Sequence, residues 1–396
     1  MRSKIKKIVI VTDVKWRKSL SAIRALGKEG NYIIALGNSM FDMGLWSVYV
    51  KERIIMPNLN KRTEYEKKLL QLLKSCCTKN GAKPILLPME DETIKLIINN
   101  VNILENCKCL LPSSISFSMA NNKRLTMIHA DKIGIKIPYT KEFNTVNSLI
   151  AFLKNATHNE WVVKPEESKG SFGLQYITGN INIHKIEKDW AQYGKLIVQE
   201  RIPQEGDSVC VGLICTERHE IRSVFAYKRL RSFPVQGGPS TCRISIADSE
   251  LVLKSCRLMS SLSWVGVAMV EWKKDIRDNS YKLMEINPRF WGGLELAVRC
   301  GVNFPQQYVD ILYGNLEQLG KHDYPIGIIS RWMVPGDVLW FLAQKKKTVT
   351  DYIDFFRHIL RDSDEWSKDD IPGSIAAIIC QFIQFLNPIN WKYLNR

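Results

Sequence analysis

The chain has 396 residues, 45% of them apolar and 24% charged, ordinary values for a globular protein long enough for two or three domains and a large core. Its net charge of +16 sets up a field that attracts anions such as nucleotides or acidic metabolites. With no long Lys/Arg run, zinc-finger spacing or aromatic-rich basic motif, nucleic-acid binding is not expected.

The N-terminus, MRSKIKKIVIVTD, pairs a basic stretch with an apolar run that ends at Thr12 and Asp13. That run is too short for the apolar region of a signal peptide and reads as a first β-strand. Strand-like runs then follow at 32–37, 53–57 and 84–88, separated by helical stretches near Ser19–Lys28 and Thr63–Cys77. Such alternation predicts parallel strands with crossover helices, an open α/β domain over residues 1–114. No G-x-G-x-x-G follows the first strand, so a dinucleotide site is not expected and the domain would instead wall a substrate cleft. The ten cysteines are scattered over a long chain and read as reduced thiols. The Cys76–Cys77 pair and Cys107-Lys-Cys109 lack the C-x₂-C spacing of a metal knuckle.

After KCLLPSS (108–114) the texture changes. Residues 121–140 read as a helix ended by Gly134, followed by an extended segment around Pro138. Strands are expected at 161–165 and 195–202, and strands dominate from Val209 to Asn287. The tail beyond Gly320 reads as helical, with aromatics at 338–344 and 351–356. Its last apolar stretch, 371–390, is interrupted by Gln381 and Gln384 and is too short to span a bilayer. It is expected to be a packed terminal helix, and the protein to be cytoplasmic.

The most informative residues are two apolar strands that carry carboxylates, VGVAMVEWK (265–273) and YKLMEINPRFWGG (281–293). Glu285 and Asn287 are two residues apart and project from one strand face. The polar segment 273–280 between the strands suggests an antiparallel hairpin, and one parity of its register brings Glu271 to the same face. Two carboxylates and an amide suit Mg²⁺, which takes its remaining ligands from water and substrate phosphates. The plainer alternative, a solvated strand face, conflicts with the apolar Val267, Met269, Leu283 and Ile286 around them.

Lys164 closes an apolar strand and precedes ESKGSFGL (167–174), a glycine-bearing loop able to fold over phosphates, as many surface turns of that composition do not. Further on, IVQERIPQEGDS (197–208) runs from an apolar strand into a polar hinge. Backbone groups at Glu200 to Ile202 could pair with an adenine edge and Asp207 could accept from ribose hydroxyls. For either acidic residue alone a solvated turn is the simpler reading.

In this order of parts residues 115–315 resemble the ATP-grasp superfamily, and MEINPR (284–289) is the most specific element of the match. Within it the chain looks most like carboxylate–amine ligases related to the carbamoyl-phosphate synthase large subunit and D-aspartate ligase. The resemblance implies an α/β protein, α+β in the ATP-grasp part: an N-terminal open parallel domain (1–114), a first ATP-grasp lobe with a glycine lid (115–195), a second lobe with the Mg-ATP site (196–320), and a helical C-terminal extension (321–396). It implies that Lys123 and Lys164 contact ATP phosphates, that Ser168, Gly170, Ser171 and Gly173 belong to the lid, and that Gln199, Glu200, Arg201 and Ile202 hold adenine. Asp207 would contact ribose, and Glu271, Glu285 and Asn287 would bind one or two Mg²⁺, with Mn²⁺ as a substitute. A homodimer is implied by the resemblance alone.

A basic strand, AYKRLRSFPVQGGPST (226–241), and Arg289 would hold the transferred phosphoryl group. Strand alternation sends Lys228 and Arg229 to opposite faces; Arg289, Lys228 and Arg231 are the expected catalytic cations, with Arg229 behind them. Phe290 and Trp291 either line a substrate pocket or pack. The expected reaction joins a small carboxylate and an amine through an acyl phosphate, releasing ADP and phosphate. Its rivals are a kinase or other acyl-phosphate-forming enzyme on a small acceptor, and a non-catalytic nucleotide-binding or membrane-surface adaptor.

Overall fold

The computed structural model describes residues 7–156, 160–167, 173–235, 237–315 and 323–386, with backbone only at 79 and 80. The N-terminal part forms a parallel sheet of β1 (Ile8–Val11), β2 (Tyr32–Gly37), β3 (Val50–Ile55) and β4 (Ile85–Leu87) in the order β3-β2-β1-β4. The central strands are apolar without alternation because both faces are covered. Val9 and Val11 pack on one side with Ile23 and Leu26 of helix Arg17–Lys28, and Ile10 on the other with Leu69 and Leu73 of helix Arg62–Asn80. In an open parallel sheet the strands' carboxyl ends face the ligand crevice, and here those ends lead into Asp13, Glu90 and Asp91.

A second, antiparallel sheet contains β5 (Thr140–Glu142), β6 (Trp161–Pro165), β7 (Gln175–Ile177) and β8 (Leu196–Glu200) in the order β5-β8-β6-β7. Helices Val146–Asn155 and Ile183–Tyr193 cover one face through Leu149, Leu153 and Ile186. The third sheet is the largest: β9 (Ser208–Cys215), β10 (Ile221–Ser232), β11 (Ser240–Ser245), β12 (Gly266–Asp275), β13 (Ser280–Asn287) and β14 (Ile329–Arg331) in the order β13-β12-β9-β10-β11-β14, antiparallel throughout.

Strand pairing shifts two expected boundaries. β8 bonds to β5 and β6, so the first lobe runs to about Glu200 rather than 195. β14 bonds to β11, so the segment beyond 320 is not wholly helical but supplies an edge strand to the large sheet. Its last helix, Ile371–Leu386, returns to the N-terminal domain, where Ala377 and Cys380 pack on Leu20 and Met43. Among the described residues no helix is long and apolar enough to cross a membrane.

The two faces of the large sheet differ in composition. Val209, Val211, Val270, Trp272, Leu283 and Ile286 point to a core closed by helices Ser114–Asn121, Lys123–Lys132 and Ser249–Ser261. On the other face Val267 and Met269 pack against the N-terminal domain. Further along that face the apolar cover ends and the strands open into a cleft.

Candidate active site

The parity of the β12/β13 register decides the site. Met269 pairs with Asn287 and Glu271 with Glu285, so both carboxylates and the amide share the face that carries Met269. A bulge after Glu271 absorbs Met284 and returns Trp272 and Leu283 to the opposite core. Asn287 Nδ2 lies 3.2 Å from Glu271 Oε1 and 3.2 Å from Glu285 Oε1. Two carboxylates this close disfavour joint ionisation. Burial and then neighbouring Glu285, only partly offset by Arg229, push the Glu271 carboxyl above the usual range. Burial acts the same way on Glu285, but Lys123, Lys164 and Arg229 outweigh it and hold that carboxyl low.

Both expected lysines reach this point from the other lobe. Lys123 begins helix Lys123–Lys132, which is capped by the Asn122 side chain, and its Nζ lies 3.7 Å from Glu285 Oε2. Lys164 near the end of β6 donates to Gln199 Oε1 at 2.7 Å. Burial, and secondarily the charge of Lys123, lower its pKa to about 8. Together these groups line one end of a cleft of about 320 Å³. All-oxygen donors in a buried carboxylate pair and an amide fit a hard divalent cation, and two buried lysines beside them fit phosphate.

At the hinge, Gln199 is buried and its Nε2 donates to Thr140 Oγ1 at 2.8 Å. The Glu200 and Arg201 N–H groups donate to the carbonyls of Tyr139 and Glu160 at 2.9 Å each. The Glu200 carboxylate is spent on Lys282 and Arg277, and Arg201 on Glu160. These residues and Ile202 still line the cleft, but an incoming base would meet carbonyls and the Ile202 N–H rather than the whole hinge. Ser168, Gly170 and Ser171 lie outside the described residues; Gly173 is the first described residue of that loop and has φ +68°.

The basic strand is corrected. Tyr227 and Arg229 share the cleft face of β10, and Arg229 makes a short ion pair with Glu271. Lys228 alternates to the other face and meets Asp207 at 3.4 Å; neither lines the cleft. A bulge at Leu230 then pairs Arg231 with Cys242 while Arg229 pairs with Arg243. Arg231 therefore joins the face of Lys228, bonding Asp337 at 2.9 Å and lying over the Trp340 ring at 4.4 Å. Alternation alone could not choose between the faces, and the bulge is not legible in LRS.

Arg289 does line the cleft, fixed from the N-terminal domain by Asp91 at 2.9 Å. Behind it Lys18 bonds Glu90 at 2.6 Å and the Phe290 carbonyl at 2.9 Å. Asp91, Glu90 and Lys18 went unnoticed in the sequence, although the acidic run Glu90–Glu92, one residue after strand-like PILLP, marks the carboxyl end of a parallel strand. Trp291 lines the cleft and also packs: a Cβ on Gly212 of β9 would lie 2.3 Å from its ring, so glycine makes the room. Phe290 is buried core.

Residues 193–330 match the family described as "ATP-grasp in the biosynthetic pathway with Ter operon". This segment is of the ATP-grasp type. Solved structures share the fold of the chain at low identity. The biotin carboxylase domain of Hydrogenobacter thermophilus 2-oxoglutarate carboxylase, a dimer solved with MgADP, ADP and bicarbonate, is 10% identical with a TM-score of 0.64, covering 83% of this chain and 74% of that one. The Thermotoga maritima N5-carboxyaminoimidazole ribonucleotide synthetase is 17% identical, with a TM-score of 0.56 and coverage of 82% and 79%. The L-amino acid ligase of Bacillus licheniformis is 14% identical, with a TM-score of 0.59 and coverage of 78% and 75%. No curated protein matches the chain.

Proposed function

We propose that the protein is a cytoplasmic, ATP-dependent carboxylate–amine ligase acting on small molecules through an acyl phosphate. The observation that carries this reading is the single cleft in which Glu271, Glu285 and Asn287 face Lys123 and Lys164, with Arg229 and Arg289 on the same wall. That is a cation and phosphate site continuous with room for an acid. The ATP-grasp match over residues 193–330 supports ATP as the phosphoryl donor.

Glu271, Glu285 and Asn287 would hold one or two Mg²⁺, or Mn²⁺ in their place, which when bound offsets the charge on the phosphate oxygens. Lys123 and Lys164 neutralise the nucleotide phosphates from the other lobe. Arg289, held by Asp91, and Arg229, held by Glu271, orient the acid so that a carboxylate oxygen approaches the γ-phosphorus in line with the bond to the leaving ADP oxygen. That P–O bond breaks as the new one forms, giving acyl phosphate and ADP. An amine nitrogen then attacks the acyl carbon, phosphate leaves with its bridging oxygen, and the amine gives up a proton. No protein nucleophile takes part.

The test is a phosphate-release screen with Mg-ATP across a matrix of small carboxylates and amino acids, run beside Glu285→Ala. Release that needs both an acid and an amine and disappears in the variant supports a ligase. ADP formation with one acceptor alone and no free phosphate, followed in the same reactions, identifies a kinase instead.

A further inference from the structure

Inward from Arg289 the cleft continues to a floor built around two more guanidinium groups. Arg17 begins the helix that follows β1, and Arg243 lies within β11, and both line the cleft. They converge on one residue of the C-terminal extension. Arg17 Nη1 donates to Asp364 Oδ2 at 2.8 Å, and Arg243 Nη2 makes a short bond to the same oxygen. Asp364 is itself locked: its N–H donates to the Arg331 carbonyl at 2.8 Å and its Oδ1 accepts from Ser330 Oγ.

Arg243 is fully buried and spends its Nε and Nη2 on Ser330 Oγ and its Nη1 on the Ser240 carbonyl, so the clamp leaves donor capacity at the cleft on Arg17. Arg17 Nη2 is the nearest atom to a Cβ built on Gly292, at 3.8 Å, so the space over Gly292 is open and faces a guanidinium edge. On Gly293 a Cβ would meet Tyr227 Oη at 3.1 Å and Arg243 Cδ at 3.2 Å, so the second glycine lets the floor close on the two arginines. Arg17 is also stacked over the Trp332 ring at 4.3 Å, which fixes its plane. A planar fork held in one orientation is the geometry that accepts a carboxylate or phosphate bidentately. Burial lowers the Arg17 pKa to about 10 even with Asp364 and Glu365 beside it, as for a cation that its protein neighbours compensate only in part.

We propose that Arg17, positioned by Asp364 and backed by the buried charge of Arg243, forms a second anion subsite that selects an acid carrying a carboxylate or phosphate distal to the reacting carboxylate. The substrate class rests on the ligase reading; the subsite rests on the cleft geometry alone. It also gives the C-terminal extension a role, since Asp364 completes the floor from beneath. A purely structural ion-pair staple would have the same contacts but no ligand preference.

The experiment is calorimetric binding to the full-length protein with Mg²⁺ and a non-hydrolysable ATP analogue, comparing glutarate with valerate and 3-phosphoglycerate with glycerate. Either glutarate or 3-phosphoglycerate is expected to bind at least roughly tenfold more tightly than its monoanionic counterpart, and which pair responds identifies carboxylate or phosphate. Arg17→Met should abolish that preference while nucleotide binding is retained. Gly292→Val breaks no ion pair and should weaken the dianion by obstructing the floor, so the test stands even if Arg17→Met does not fold. Equal binding within both pairs, failure of both dianions to bind, or a preference that survives either folded variant overturns the subsite. A preference without any acid- and amine-dependent phosphate release would retain the subsite and reject the ligase.

Discussion

Two clusters of buried charge lie within the same molecule, and they are wired differently. Beneath the cleft, Arg24 gives its Nε to Asp370 at 2.8 Å, its Nη2 to Ser374 Oγ at 2.9 Å and to the Glu365 carbonyl at 3.0 Å, while Asp370 also accepts from the Val48 N–H at 2.9 Å. Each charge there is answered by a protein group. At the other cluster, Glu271 and Glu285 share Asn287, Arg229 pairs with Glu271 alone, and Lys123 stands off from Glu285 at 3.7 Å. Burying like charges without full pairing is costly. The closed cluster joins the C-terminal extension to the N-terminal domain; the open one is arranged for charge that arrives with a ligand.

The comparison breaks most visibly if the closed cluster is opened. Arg24→Met leaves Asp370 buried without its cation and should cost about 3–5 kcal/mol, read as a fall in denaturant midpoint. Glu285→Ala at the open cluster should cost less, because the loss of a carboxylate facing Lys123 and Lys164 is offset by relief of Glu271, with turnover down on the order of 10²–10³-fold. If Glu285→Ala unfolds the protein, the two clusters are alike and the distinction fails.

Lys164 sharpens the contrast through pH. Its folded pKa of about 8 lies below the usual lysine value, so below pH 8 the buried cation opposes folding, and stability of the nucleotide-free protein should rise as pH climbs from 8 toward that usual value. Nucleotide binding favours the cation and should weaken as pH rises through 8, by up to about tenfold per pH unit. Titrations at pH 7–9.5 should show this in the parent protein, and a flat profile in Lys164→Met. The smallest expected effect separates the faces of β10. Lys228→Leu should alter stability by no more than about 0.5 kcal/mol and leave turnover intact, whereas Arg229→Leu should lose turnover. Equal losses would undo the facing assigned to the strand.

The sequence made legible whatever depends on local periodicity. Alternating apolar runs foretold the parallel sheet, and the two-residue spacing of Glu285 and Asn287 placed them on one face. Glu271 followed once the hairpin register was known. What stayed hidden depends on long-range contacts or on backbone irregularity. The bulge at Leu230 reverses Arg231; Asp91 meets Arg289 across the domain boundary; Asp364 joins Arg17 and Arg243 from three separate elements. Nothing in the spacing of these residues announces that they meet.

The most direct test of the central claim is calorimetric titration of a non-hydrolysable ATP analogue with and without Mg²⁺, on the parent protein and on Glu285→Ala. Binding that requires Mg²⁺ and weakens by at least about 100-fold in the variant is the predicted result. Nucleotide binding indifferent both to Mg²⁺ and to Glu285 would contradict it.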